Sequence, residues 1–213
     1  MNETPESGRA RPAPRRRSSL NRERILAVAT EQFAANGYAA VSMRDIALAC
    51  KVNLPSIYHF FGDKESLYQA CYHETFEQAA AKLQAAIAGA REPRRLIDTF
   101  TEALCDVLMH DDRFRRLLQR EFLREEHRRI TALTTHHFQR EFRALTDAIA
   151  QVYGQRRAME RCFAIYALAL GLLQLRRIGE LAGMDRRIAS SPRRLARHVL
   201  GIVFPATPVT SGL

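Results

Sequence analysis

Apolar residues recur along this chain mainly at intervals of three and four, which is the period of an amphipathic α-helix rather than of a strand. In the first such segment Leu26, Ala29 and Phe33 fall on one helical face. Asn36-Gly37 follows as a helix end, because glycine tolerates the left-handed conformation found there. The pattern predicts an all-α protein.

Two short helices are predicted next. Ser42 stands at an N-cap position before an apolar stripe that ends near Cys50. Pro55 falls in the first turn of the following helix, where its missing N–H costs nothing, and that helix stops at Gly62 after about two turns. Its apolar side faces inward and its hydrogen-bonding side chains face outward, which is typical of the DNA-reading helix of a helix-turn-helix.

Longer helices are predicted downstream. Asp63 is expected to cap a fourth helix and Pro93 to start a fifth. Three further helices are expected from Asp111 or Asp112 to about Arg129, from Thr134 to Tyr153, and over Ala158–Leu181. The segment Ala158–Leu181 is apolar nearly all round, so it needs cover on every side. Either it is a central core helix, or it pairs with Ile188–Val203 to form the interface of a homodimer.

The formal net charge of the 213 residues is +10 and the pI is about 10.1, which favours polyanionic partners such as nucleic acid or anionic membrane surfaces. The most apolar segment, residues 162–173, is shorter than the roughly 20 residues that span a bilayer. The Arg-rich start does not resemble a signal peptide. We therefore expect a soluble cytoplasmic protein without a membrane partner.

Sequence motifs for catalysis or metal binding were not found. The four cysteines are widely separated and predict free thiols, whose redox role stays open. His136-His137, with His127 and His110 nearby in sequence, has no cysteine or carboxylate at metal-ligand spacing. Because nucleophile–base pairs and Gly-rich phosphate loops are also missing, the sequence predicts no enzyme activity, no cofactor and no metal site.

Residues 22–67 resemble the DNA-binding domain of TetR-type transcriptional repressors. The residues that carry the resemblance are Phe33, Gly37, Asp45, Ile46, Ala47, Val52, Ile57, Tyr58, Phe61, Lys64 and Leu67. The resemblance implies a three-helix DNA-binding domain joined to a helical bundle that binds a small-molecule effector and dimerises. It also implies that two copies read a palindromic operator in double-stranded DNA.

The resemblance assigns DNA contacts by position. The expected DNA-binding residues are Ser42, Arg44, Leu54, Pro55, Ser56, Tyr58, His59 and Lys64. Tyr58 is expected on phosphate, His59 at base edges, and Lys64 on phosphate at a helix start. Two positions depart from the family pattern. Lys51 replaces the usual glycine, so a left-handed turn there would be strained or the turn would differ, and Phe60 replaces a residue that often contacts the backbone.

The expected domain limits are a disordered basic arm at 1–20, the DNA-binding domain at 21–67, the effector-binding and dimerisation domain at 68–205, and a flexible tail at 206–213. Residues 1–24 contain seven Arg against three Glu. The arm is therefore either a solvated tail or a segment that follows DNA phosphates.

An effector cavity could be lined by aromatic and aliphatic residues of the second domain. The candidates are Phe100, Leu104, Met109, Phe122, Phe138, Phe142, Phe163 and Tyr166. Such stripes also occur in plain cores. The Arg-rich segment 113–129 would suit an anionic effector or a solvated helix face.

The function predicted from these features is a ligand-responsive repressor that binds a palindromic operator as a dimer and is released by a small molecule. The alternative is a sequence-neutral nucleic-acid or nucleoid-binding protein, for which the net charge alone would suffice. The sequence names neither the operator nor the effector.

Overall fold

The structure is a computed structural model that describes the backbone of residues 14–122 and 127–205, and the side chains of 21–121 and 137–205. The described residues form ten helices and no strand, which confirms the all-α prediction. The helices are α1 Pro14–Asn36, α2 Met43–Cys50, α3 Leu54–Phe61, α4 Lys64–Ile87, α5 Pro93–His110, α6 Asp112–Phe122, α7 His127–Tyr153, α8 Ala158–Gln174, α9 Arg176–Leu181 and α10 Pro192–Val203. None of the helices in the described ranges is both long and apolar enough to cross a membrane.

The chain divides into two compact units, Met1–Cys71 and Tyr72–Leu213. The division falls inside α4, a few residues after the expected limit at residue 67. The start of α4 therefore belongs to the first unit and the rest of this helix to the second.

The first unit has a small apolar core formed by α1, α2, α3 and the start of α4. The residues with no exposed surface are Ile25, Ala29, Phe33, Ile46, Cys50, Ile57, Leu67 and Cys71. Phe33 and Tyr38 pack edge-on against Tyr68, with ring centroids 5.1 and 5.2 Å away. This core fixes the inward faces of the two short helices.

The first helix begins at Pro14, so the expectation of disorder through residue 20 is wrong for residues 14–20. Extending a helix costs far less than starting one, and Arg, Ser and Leu are compatible with extension from the segment that follows. Residues 1–13 of the expected arm and the expected tail at 206–213 lie outside the described residues.

In the second unit α5 packs against α6, α7, α8 and α10. Its buried face carries Ile97, Phe100, Thr101, Leu104, Cys105, Val107 and Leu108. α5 begins at Pro93, as predicted, and the Asp111 carboxylate accepts a hydrogen bond from the Phe114 amide at 3.1 Å at the start of α6. α8, which forms the first part of the apolar segment that begins at Ala158, packs against α5, α7, α9 and α10.

Several predicted helix limits differ from those of the structure. α6 is described as far as Phe122, and residues 123–126 of its predicted extension to about Arg129 lie outside the described residues. Residues 127–133, which were predicted to precede the next helix, are helical and belong to α7. The predicted helix Ala158–Leu181 is divided at Leu175 into α8 and α9, in a segment whose glycines at 171 and 179 weaken helical structure. α10 begins at Pro192 rather than residue 188, because Ser191 caps it and proline suits a first turn.

Candidate functional site

The second helix is held in place by a capping box. The Ser42 hydroxyl accepts a hydrogen bond from the Asp45 amide at 3.1 Å and donates one to the Asp45 carboxylate at 2.6 Å. The two hydrogen bonds that the Asp45 carboxylate accepts, from the Ser42 hydroxyl and from the Ser42 amide at 3.0 Å, hold the pKa of Asp45 below its usual value. The hydroxyl of Ser42 thus serves the helix start, while Arg44 is exposed.

The turn between α2 and α3 is left-handed at Lys51, with φ 52° and ψ 43°. Of the two possibilities raised by the sequence, the structure therefore has the strained one. The amide of Val52 donates to the Ala47 carbonyl at 3.1 Å, which closes the end of α2. Asn53 then caps α3, because its side-chain oxygen accepts hydrogen bonds from the amide of Ser56, at 2.9 Å, and from its hydroxyl.

The third helix turns one face inward and the other to solvent. Ile57 has no exposed surface and Phe61 has 8%. On the opposite face Pro55 and His59 are exposed, and Tyr58 keeps 47% of its surface. The helix thus exposes the phenol of Tyr58 and the imidazole of His59, while its opposite face is fixed in the core.

The step from α3 to α4 takes a single turn at Gly62, whose φ of 78° and ψ of −71° suit glycine. The Asp63 amide donates to the Phe61 carbonyl at 3.0 Å, and the Asp63 carboxylate accepts from the Ser66 amide at 2.7 Å. That hydrogen bond from Ser66 is also the main reason why the pKa of Asp63 lies below its usual value. The tight turn places Lys64 in the first turn of α4.

Lys64 is oriented by Tyr38, a residue that the sequence reasoning missed. The Lys64 ammonium lies 4.3 Å from the centre of the Tyr38 ring, within the range of a cation–π contact. The available signal was an aromatic residue directly after the helix end at Gly37. The contact restricts the lysine side chain without neutralising its charge.

The predicted DNA-binding residues lie on α2 or at its N-cap, on α3, or at the start of α4, all within residues 42–64 of the first unit. Those that are exposed are Ser42, Arg44, Pro55, Tyr58 and His59, and those that are half-buried are Leu54, Ser56 and Lys64. Cations, a phenol and an imidazole suit phosphates and base edges. The fold and this surface define a helix-turn-helix unit joined to a helical bundle.

The predicted effector-binding residues do not form a single group. Tyr166 packs against Phe100 and Phe142, with ring centroids 5.8 and 5.9 Å away. Phe138 instead contacts Phe76, at 5.8 Å. Leu104 is buried and Met109 is half-buried, whereas the side chain of Phe122 lies outside the described set.

Phe163, which was also predicted to line the cavity, has 66% of its surface exposed in the single chain. Its position on α8 points it away from the buried face made by Cys162, Ile165 and Ala169.

The sequence reasoning also missed Glu141, which has only 1% of its surface exposed. Neither of its carboxylate oxygens, nor the buried hydroxyl of Tyr166, has a hydrogen-bond partner in the part of the chain that the structure describes. Burial raises the pKa of Tyr166, with further contributions from Cys162 and Glu141. A signal was present, because Glu141 lies four residues from the buried Leu145 on one face of α7.

All four cysteines are buried and none of them forms a disulfide, as predicted. Burial raises the pKa of Cys105 to about 12 and that of Cys162 to about 11. Since the thiolate is the reactive form, these environments disfavour oxidation.

Residues 25–71 match the model of the family described as bacterial regulatory proteins, tetR family. The chain is 38% identical over 68 residues to the HTH-type transcriptional regulator UidR of Escherichia coli K12, which is 32% of this chain and 35% of UidR. It is 30% identical over 117 residues to the HTH-type transcriptional activator FasR of Mycolicibacterium smegmatis, 52% of this chain and 53% of FasR. The matches thus span from about a third to about half of these relatives.

A solved TetR-like transcriptional regulator from Rhodococcus sp. RHA1 has the same fold, with a TM-score of 0.68 at 16% identity. The match covers 87% of this chain and 94% of that one. Residues 25–71 thus match the tetR family model, and the described fold is the same as that of a solved TetR-like regulator.

Proposed function

We propose that the protein is a transcriptional regulator that binds operator DNA through α2, α3 and the start of α4. The observation that carries the proposal is the two-turn helix α3, with Ile57 and Phe61 buried and Tyr58 and His59 exposed. A helix that is capped at its start by Asn53 and stopped at Gly62 is rigid enough to enter a major groove. The family match over residues 25–71 supports the same use.

The contacts suggest a division of roles on DNA. His59 is the base-edge reader, because its imidazole is exposed near the middle of the outward face of α3. Tyr58, Arg44 and Lys64 bind phosphates, which positions the helix without reading sequence. Ser42 and Ser56 serve mainly as helix-start residues, since their hydroxyls are already hydrogen-bonded within the protein.

We propose that two copies associate through α8, α9 and α10. Large apolar side chains remain exposed there, and the set is Met159, Phe163, Leu175, Ile178, Leu181 and Ile202. α9 buries none of its residues within the single chain. A second copy would cover such a surface, and a two-fold dimer would present two α3 helices to a palindrome.

We also propose that an effector binds inside the second unit near Tyr166 and Glu141. A buried carboxylate without a hydrogen-bond partner is costly, so a ligand that donates hydrogen bonds would offset that cost. The ring contacts with Phe100 and Phe142 add an apolar wall. The favoured effector is therefore an ammonium or amidine group on an apolar body, and it acts on DNA binding only through its different affinities for the two states.

The first test is selection of bound sites from a random duplex library with the purified full chain at about 150 mM salt. Enrichment of a palindrome is expected. Equal binding to all duplexes, with affinity that falls steeply as salt rises, would instead identify a sequence-neutral binder. Analytical ultracentrifugation of the same sample tests the dimer, and a Phe163→Asp variant should shift it to monomer while exposed Glu160→Ala should not.

A further inference from the structure

Two side chains of α4 and one of α7, at least 60 positions further along the chain, lie together in the second unit. His73 and Glu77 are one turn apart on α4, and His137 is on α7. The Nδ1 atom of His73 is 3.2 Å from the Nε2 atom of His137. On the other side of the same ring, the Nδ1 atom of His137 is 2.8 Å from the Glu77 carboxylate. One ligand atom from each residue fits within 4.8 Å of the others.

The separation of the two nitrogens suits a shared metal ion. Two imidazole ligands at the usual zinc distance, about 2.0–2.1 Å, stand about 3.3 Å apart in tetrahedral geometry. The contact of Glu77 with Nδ1 of His137 favours the tautomer that carries its proton there and leaves the lone pair on Nε2 toward His73. This order of carboxylate, histidine and metal recurs at zinc sites, where the carboxylate orients the ligand.

The two histidines differ in burial: His137 is enclosed by the protein, and His73 is accessible to solvent. The side chain of His137 has no exposed surface, whereas that of Glu77 is 54% exposed and His73 is exposed. The ring of buried Phe76 lies 6.3 Å from the ring of His137. His137 is thereby fixed from the apolar side, and an ion could enter from the side of His73.

We propose that His73 and His137 bind a divalent transition-metal ion, with Glu77 as the positioning residue for His137. Imidazole donors favour Zn²⁺, Ni²⁺ and Cu²⁺ over Mg²⁺ and Ca²⁺. With two protein ligands, water or another small ligand completes the coordination. No metal site was predicted from the sequence, because His137 was compared only with histidines near it in sequence, whereas His73 is 64 positions away.

The test uses the full chain without a histidine tag, stripped with EDTA and titrated with Zn²⁺ against a chromogenic chelator. We expect one Zn²⁺ per chain with a micromolar or lower Kd. His73→Ala should weaken this binding at least tenfold, and Glu77→Gln should weaken it about 10–100-fold. Both positions are exposed, so both variants should fold, as circular dichroism would verify.

The matched control is His110→Ala, because His110 is also exposed and also pairs with a carboxylate, that of Asp106 at 2.9 Å. It should bind Zn²⁺ like the unchanged protein. Co²⁺ should give the visible absorption of a site with nitrogen ligands, and this signal should vanish in His73→Ala. No Zn²⁺ binding, or equal binding by His73→Ala, would overturn the proposal and leave these groups as a hydrogen-bonded chain.

Discussion

The two units of the chain keep their polar chemistry in opposite places. In the first, Arg44, Tyr58 and His59, which are proposed to meet DNA, are exposed and Lys64 is half-buried. Thr30 is the only buried polar residue in the described part of this unit. The Thr30 hydroxyl donates to the Leu26 carbonyl at 2.8 Å, so this group is satisfied. In the second unit, Glu141 and His137 lie inside the bundle.

This difference follows from what each surface has to recognise. A duplex is a large polyanion that is met from outside, so cations and hydrogen-bonding groups serve best on an exposed face above an apolar core. A small ligand or an ion is enclosed, and the groups that bind it must be buried at a cost in stability. The second unit should therefore gain stability when such groups are removed or bound, and the first should not.

The largest expected effect is a loss of stability on truncating a side chain in the core of the first unit. Ile57→Ala should lower the free energy of unfolding by about 2–5 kcal/mol, because Ile57 has no exposed surface and its truncation leaves a cavity. DNA binding should fail with it, since Ile57 anchors α3. Chemical denaturation and DNA titration check both effects. Tyr58→Ala is the control, because it removes an exposed neighbour and should weaken DNA binding while stability changes little.

In the second unit, replacing a buried polar side chain is expected to increase stability. Glu141→Met should raise the free energy of unfolding of the ligand-free chain by about 1–3 kcal/mol, because it removes a buried carboxylate without a partner. Thermal unfolding measures the change. Glu160→Met, which removes an exposed carboxylate from α8, should leave stability within about 0.5 kcal/mol.

The same variants test the effector. Benzylammonium-type compounds should protect the unchanged chain from thermal unfolding more than the matched benzyl alcohols do, and Glu141→Met should abolish that preference. Destabilisation by Glu141→Met, or a preference that survives it, would show that the carboxylate has a structural role and does not contact the effector.

How well each feature could be predicted from the sequence depends on how far apart along the chain the interacting residues are. The starts of α2 and α3 depend on the local caps Ser42 and Asn53, and the start of α5 on the first-turn proline Pro93; the predicted helices agree with the structure there. The exposed residues of α3 follow from the same local pattern, because a two-turn helix with Ile57 buried has few other arrangements. The orientation of Lys64 by Tyr38 depends on packing and could not be read in this way.

The second unit was less predictable because its features depend on contacts between distant segments. A helical period continues through Leu175, yet the helix is interrupted there. Glu141 is unusual only because neighbouring helices bury it, and His137 meets His73 only through the packing of α7 beside α4. Burial and pairing of this kind are properties of the packed structure and have no short motif.

Two substitutions on the surface of the first unit should distinguish base recognition from phosphate binding. His59→Ala should cost about 1–3 kcal/mol of discrimination at one base pair of the selected site, while binding to unrelated DNA changes little. Lys64→Ala should weaken all sequences similarly and lower the salt slope by about one. His110→Ala and Lys82→Ala remove matching residues from the second unit and should change neither property. Similar behaviour of His59→Ala and Lys64→Ala would refute the assigned roles.

The smallest expected effect concerns the turn that joins α2 to α3. Lys51 has a φ of 52°, in a left-handed region that costs a residue with a Cβ about 1–2 kcal/mol, while glycine adopts it freely but loses more chain entropy on folding. Lys51→Gly should therefore raise the free energy of unfolding by about 0.5–1 kcal/mol, as measured by chemical denaturation. Lys51→Ala is the matched control, because it removes the same charge and stem but keeps the Cβ. If glycine and alanine gave equal stability, the turn in solution would not be left-handed, and α3 would be held by Asn53 and its buried face alone.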